Sequence, residues 1–101
     1  MPATFRVAIN TSAEADIADL WDYIAQDDPL AATAFIAALE EQISHLERFP
    51  ERCPRIPENT YLGTDLRHLL YGPYRTIFRL GEERVIILRV IHGARLFETA
   101  E

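Results

Sequence analysis

Tyr74-Arg75-Thr76-Ile77-Phe78-Arg79-Leu80, a break at Gly81-Glu82-Glu83-Arg84, and Val85-Ile86-Ile87-Leu88-Arg89-Val90-Ile91-His92 form the stretch on which the fold of this 101-residue chain turns. Both spans have strand length and are rich in β-branched and aromatic residues, and the break suits an antiparallel hairpin. The first span alternates, with Tyr74, Thr76, Phe78 and Leu80 on one face and Arg75, Ile77 and Arg79 on the other. Val85-Ile86-Ile87-Leu88 is apolar on both faces, the pattern of a central strand covered on one side and partly covered on the other. Arg89 is expected to face away from Leu88 and Val90.

Upstream, Leu66 to Tyr71 reads as a third strand, joined to the first span by Gly72-Pro73. On it Leu66, His68 and Leu70 lie opposite Arg67, Leu69 and Tyr71. Between Pro50 and Thr64 the residues Pro50, Pro54, Pro57 and Gly63 break any sustained period, which predicts an irregular surface connection. A connection this long is usually functional or mobile. With Phe49, Ile56, Tyr61 and Leu62 in or beside it, it is placed to cover the core edge or to receive a partner helix.

Further upstream the period changes from two to 3.6. Phe35, Leu39, Ile43 and Leu46, with Ile36 beside them, predict an amphipathic helix that opens at Asp28-Pro29 and is ended by Pro50. Ile17, Leu20, Trp21 and Ile24 predict an earlier helix, with Thr11 and Glu14 as a capping box, Trp21 in the core and an acidic outer face. Phe5, Val7 and Ile9 alternate as a short first strand. The expected architecture is α+β in the order β-α-α-β-β-β, a helical hairpin packed on a small, mainly antiparallel sheet. Residues 1–97 are expected to form one domain, with 98–101 as a short C-terminal tail.

The formal net charge of -6 argues against a general nucleic-acid binder, whose phosphate contacts need a basic surface. The average conceals an asymmetry. Residues 1–47 carry one base against nine acids, a balance of -8, whereas residues 48–97 carry nine arginines against five acids, a balance of +4. Every cation other than histidine is an arginine. The lone Cys53 can form no internal disulfide and suits a reducing compartment, so a cytoplasmic location is expected. No signal-peptide core or run of membrane-spanning length is present.

If the mainly apolar strand faces meet the helices, the open face of the sheet displays Arg67, Arg75, Arg79 and Arg89, with Arg95 just beyond, as a basic binding face. Pairing with the acidic helices or plain solvation accounts for such a face equally well. His68 and His92 are candidates for proton transfer, although an isolated strand histidine is more often structural. His45 reads as surface. No spacing supports a metal site, a nucleotide loop or a hydrolase elbow, and no cofactor is expected.

Five collinear segments resemble the ParE branch of the ParE/RelE toxin superfamily. They are Ala18-Asp19-Leu20-Trp21-Asp22-Tyr23-Ile24-Ala25 before Pro29, Ile43-Ser44-His45-Leu46 before Phe49-Pro50, Leu66-Arg67-His68-Leu69, Gly72 to Arg79, and Ile87 to Arg95. The resemblance implies the toxin of a type II toxin-antitoxin operon, associated with growth arrest and plasmid stabilisation. It implies inhibition of DNA gyrase, neutralisation by a cognate ParD-like antitoxin, and contact with operator DNA only through that antitoxin. RelE-like members are instead ribosome-dependent messenger endoribonucleases. Carried over by position, the nuclease arginines fall on Arg75 and Arg95. The nuclease lysines fall on Leu66 and His68, and its late tyrosine or histidine lies at or beyond the end of the chain. A ribonuclease here would draw on Arg75, Arg95, His68 and His92. The resemblance therefore favours a protein inhibitor, with the ribonuclease and a non-toxic co-repressor subunit as alternatives.

Overall fold

The computed structural model describes residues 4–98, so Thr99–Glu101 of the expected tail lie outside the described residues. The elements run β1 (Arg6–Ile9), α1 (Thr11–Ala25), α2 (Pro29–Ser44), a short α3 (Asn59–Leu62), β2 (Leu66–Tyr71), β3 (Tyr74–Leu80) and β4 (Arg84–His92). The expected order is present, with α3 added inside the Pro50–Thr64 connection. The sheet order is β1-β4-β3-β2; β1 runs parallel to β4, and the other pairings are antiparallel. As its two-sided apolar pattern predicts, β4 is central.

Local chemistry sets the helix starts. Asp28 caps α2, its carboxylate accepting from the Leu30 and Ala31 amides at 3.1 Å ahead of Pro29. The cap of α1 is Asn10 rather than Thr11, because the Asn10 side chain accepts from Ala13 N at 2.9 Å and Thr11 is already the first helical residue. The α2 helix stops at Ser44, short of Pro50, and two 3-10 turns, His45–Glu47 and Pro50–Arg52, carry the chain onward. Between them Phe49 adopts φ 54°, a left-handed conformation unfavourable for a bulky residue.

The two faces of the sheet bury separate apolar layers. On the inner face Ile17, Leu20, Ile36, Leu39 and Ile43 of the helical hairpin pack on Phe78, Val85, Ile87 and Val90. On the outer face Leu66, Ile77 and Ile91 are covered by Ile56 and Phe97. Trp21 departs from the expectation of a core residue. It is 36% exposed at the α1–α2 seam, its Nε1 donating to Thr33 Oγ1 at 3.4 Å, since Ala13, Ile17 and Leu20 already fill the stripe that meets the sheet.

A bulge decides where Arg89 goes. Ile77 pairs with Arg89 but Phe78 pairs with Ile87, leaving Leu88 as an extra residue on β4. Strict alternation is lost, and Leu88 and Arg89 line the same outer-face cavity, contrary to the simple parity reading. Because β1 ends opposite Ile87, the edge of β4 beyond it lacks a strand neighbour. Asp16 of α1 fills that gap. Its carboxylate accepts from Val90 N at 2.9 Å and from Arg89 Nε and Nη2 at 2.7 and 2.9 Å.

Asp16 thus ties the helical hairpin to the sheet where strand pairing stops. Asp16→Ala is expected to destabilise the protein by about 2–3 kcal/mol in urea denaturation, by stranding a partly buried guanidinium and a strand amide. The exposed Asp19→Ala should change stability by less than about 0.5 kcal/mol.

Candidate functional site

Arg75 lies in β3 among neighbours that are mostly buried. A cation in the middle of such a strand needs a counter-charge, because an unpaired buried charge is among the most unfavourable features a fold can hold. The counter-charge is Glu58, from the irregular connection. Arg75 and Glu58 are 4% and 2% exposed, and the guanidinium forks onto both carboxylate oxygens, with Nη1 to Oε1 at 3.1 Å and Nη2 to Oε2 still closer.

Backbone placement explains how Glu58 arrives there. Pro54, Arg55 and Ile56 lie along the outer edge of β2, with Ile56 N donating to Leu66 O at 3.0 Å and His68 N to Pro54 O at 3.1 Å. The next turn is α3, whose first residue Asn59 uses its side-chain amide to bond both Leu66 N and Leu66 O, at 3.0 and 2.9 Å. Held between these anchors, Glu58 points under the sheet's outer layer. The same carboxylate accepts from Phe97 N at 2.9 Å, and Arg75 Nη2 donates to Arg95 O at 2.7 Å.

His68 completes the cluster, its Nδ1 lying 3.3 Å from Arg75 Nη1. A guanidinium only donates, so Nδ1 is the acceptor and the ring proton sits on Nε2. Burial, helped by the Arg75 charge, pushes the His68 pKa down, which keeps the ring neutral at physiological pH. Glu58 is held in its charged form: the Arg75 hydrogen bonds, outweighing desolvation and aided by Phe97 N, lower its pKa from 4.5 to about 2.

The other candidates do not join them. His92 pairs with Tyr74 on the inner side, stacks edge-on against that ring at 5.6 Å and accepts from Ala94 N, so the sheet separates it from His68. The Arg67 guanidinium, expected on the open face, instead donates to Glu51 O and Cys53 O at 3.0 and 2.6 Å on the other side of β2. Arg75 and Arg89, also expected there, are committed to Glu58 and Asp16. Arg79 and Arg95 remain exposed, as does Arg84 at the β3–β4 turn. His45 lies at the surface near Glu41. Burial raises the pKa of the free Cys53 thiol. Among the described residues no group of His, Cys, Asp or Glu could hold a metal ion, and no helix is long and apolar enough to cross a membrane.

Glu58 was not singled out by sequence patterning. The signal that identifies it is indirect: Arg75 sits in a largely apolar strand and demands an acid, and Glu58 directly follows Ile56 and Pro57 in a segment that must lie against the sheet.

The titrations set a testable acid response. Glu58 has a folded pKa below its unfolded value, so its contribution is present above about pH 4.5 and is lost as the pH falls from there toward 2. That loss is on the order of 3 kcal/mol. His68, half-buried and neutral, adds a loss that begins as the pH falls below its ordinary 6.5. In pH-dependent denaturation Glu58→Gln should lower stability at pH 7 and remove the steeper wave below pH 4.5. An unchanged wave would remove Glu58 from this role.

The family model that describes the ParE toxin of the type II toxin-antitoxin system parDE matches residues 7–97. No curated relative matches the chain. Among solved structures, a chain of the chromosomal ParDE toxin-antitoxin system from P. aeruginosa is 21% identical, with a TM-score of 0.69, covering 88% of this chain and 96% of that one. A chain of the RelBE2 toxin-antitoxin complex from Mycobacterium tuberculosis is 24% identical, with a TM-score of 0.62, covering 92% and 95%. Those two likenesses carry the fold, and the match over residues 7–97 carries the family: this chain belongs to the ParE toxins of type II toxin-antitoxin systems.

Proposed function

We propose that this toxin acts by binding, with DNA gyrase as its target and a ParD-like antitoxin as its inhibitor, and that it is not a messenger ribonuclease. The observation that carries this reading is the state of Arg75. It occupies the position of a nuclease arginine, yet its charge is neutralised by Glu58 and its side chain is 5% exposed.

Cleavage of messenger RNA by attack of a 2'-hydroxyl needs a base, an acid and cations for the developing phosphorane charge, converging within hydrogen-bond reach of one phosphate. Here the two sheet histidines lie on opposite faces, and the exposed Arg95 side chain has only its backbone carbonyl joined to the Arg75 cluster. The positions of the nuclease lysines hold Leu66 and His68.

Support for an antitoxin partner comes from the family and from the solved neighbours, which are described as a ParDE system and a RelBE2 toxin-antitoxin complex. The free cations suit an acidic antitoxin segment that orders on binding. Arg79, Arg84 and Arg95 are exposed and take no part in an ion pair among the described residues.

Controlled expression without antitoxin, followed by supercoiling and ribosome-dependent cleavage assays on the purified chain, tests the target. The expected result is growth arrest and loss of supercoiling with messenger intact. Cleavage abolished by Arg95→Ala would overturn the reading in favour of a nuclease, and growth without arrest would favour a co-repressor subunit. Charge reversal at Arg79 or Arg95 should slow antitoxin association about tenfold at low salt and flatten its salt dependence. Unchanged association kinetics would exclude these arginines from capture.

A further inference from the structure

The outer face of the sheet is covered by two pieces of chain that are distant in sequence. One is the 54–64 segment, which contributes Ile56 and Glu58; the other is the 95–98 segment, which contributes Phe97. Neither is a full strand of the sheet. The first is joined to β2 by one isolated bridge, between Arg55 and Arg67, and by the Asn59 side chain. The second meets the sheet through Phe97 in the outer apolar layer and through the Arg95 carbonyl on Arg75.

The geometry points to a latched strap: residues 54–64 and 95–98 close and open over the outer face as one unit, and the Glu58 carboxylate is the latch that joins them. Three connections meet at that carboxylate. It belongs to the first segment, it accepts from Phe97 N of the second, and it holds Arg75 of β3, which in turn holds Arg95 O. Releasing either segment therefore unsatisfies the other. If the tail leaves, Glu58 loses Phe97 N and the outer layer loses the Phe97 ring. If Glu58 leaves, Arg75 is stranded as a buried cation and its hold on Arg95 O is weakened.

The remainder of the fold does not depend on these contacts. The helical hairpin is fixed to the opposite face by the inner apolar layer and by Asp16. Opening thus uncovers Leu66, Ile77 and Ile91 together with the Arg75 cation and leaves the hairpin and sheet in place. This device is independent of which partner the toxin meets.

Hydrogen exchange on the full chain at neutral pH, resolved by peptide, tests the unit. In Glu58→Gln, amides in 54–64 and 95–98 should exchange about tenfold to a hundredfold faster than in the parent, both to the same extent and both through an opening smaller than global unfolding, while α1, α2 and the centre of β4 stay far better protected than these two segments. Phe97→Ala, which touches only the tail side, should accelerate the 54–64 amides as well as its own. Acceleration confined to the mutated segment in either variant would overturn the coupling. A single common opening free energy for 54–64, 95–98, α1 and α2 would overturn the strap, because the carboxylate would then be supporting the whole fold rather than closing one face.

Discussion

The Glu58–Arg75 ion pair is the constraint around which the outer half of this structure is arranged. A guanidinium within an apolar strand cannot remain without a partner, and bringing one to it forces the irregular connection to lie across the sheet. Once there, the carboxylate has spare acceptor capacity, and the chain end supplies Phe97 N to it while Arg75 takes the Arg95 carbonyl. A single charge requirement in β3 therefore determines the path of two segments far apart in sequence. The inner half follows a simpler rule, in which the apolar stripes of two helices meet the apolar face of a sheet.

This arrangement alters the meaning of a familiar residue position. An arginine that resembles part of a nuclease motif is read from sequence as available charge. In three dimensions both terminal nitrogens of the same arginine are committed to Glu58, His68 and the Arg95 carbonyl, and Arg89 is committed to Asp16, whereas Arg79, Arg84 and Arg95 keep exposed side chains. The exposed arginines thus include Arg79 and Arg84 at the β3–β4 turn, where Glu82 and Glu83 balance their charge, and Arg95 in the C-terminal segment. The asymmetry between an acidic first half and a basic second half is partly consumed internally, because Asp16 of the first half neutralises Arg89 of the second.

Much of the fold was legible in the sequence. The change of hydrophobic period separates the helices from the strands, Asp28-Pro29 marks the second helix start, and the two-sided apolar run at Val85 identifies the central strand. Three features were not. The bulge at Leu88 arises from pairing with β3 and leaves no local mark, so it reverses the parity expected around Arg89. Trp21 sits at helical spacing from Ile17 and Ile24, yet the contact stripe is already filled by smaller neighbours. Glu58 lies in a segment without periodicity, where pattern reading has nothing to work on, and only the unmet charge of Arg75 points to it. The candidate site was legible as a list of arginines and histidines, but which of them are free depends on partners contributed by other elements.

The most direct test of this account is to replace the pair by apolar residues of similar volume, Glu58→Leu with Arg75→Met, and to measure growth arrest by the folded double variant beside the parent chain. Well-packed apolar replacements of a buried ion pair are often tolerated, whereas removal of one partner alone is strongly destabilising. If Arg75 serves the fold, the double variant folds and gives the same growth phenotype as the parent. A double variant that folds, binds its antitoxin and has lost the arrest would contradict the account, because the Arg75 charge would then be acting on the target itself.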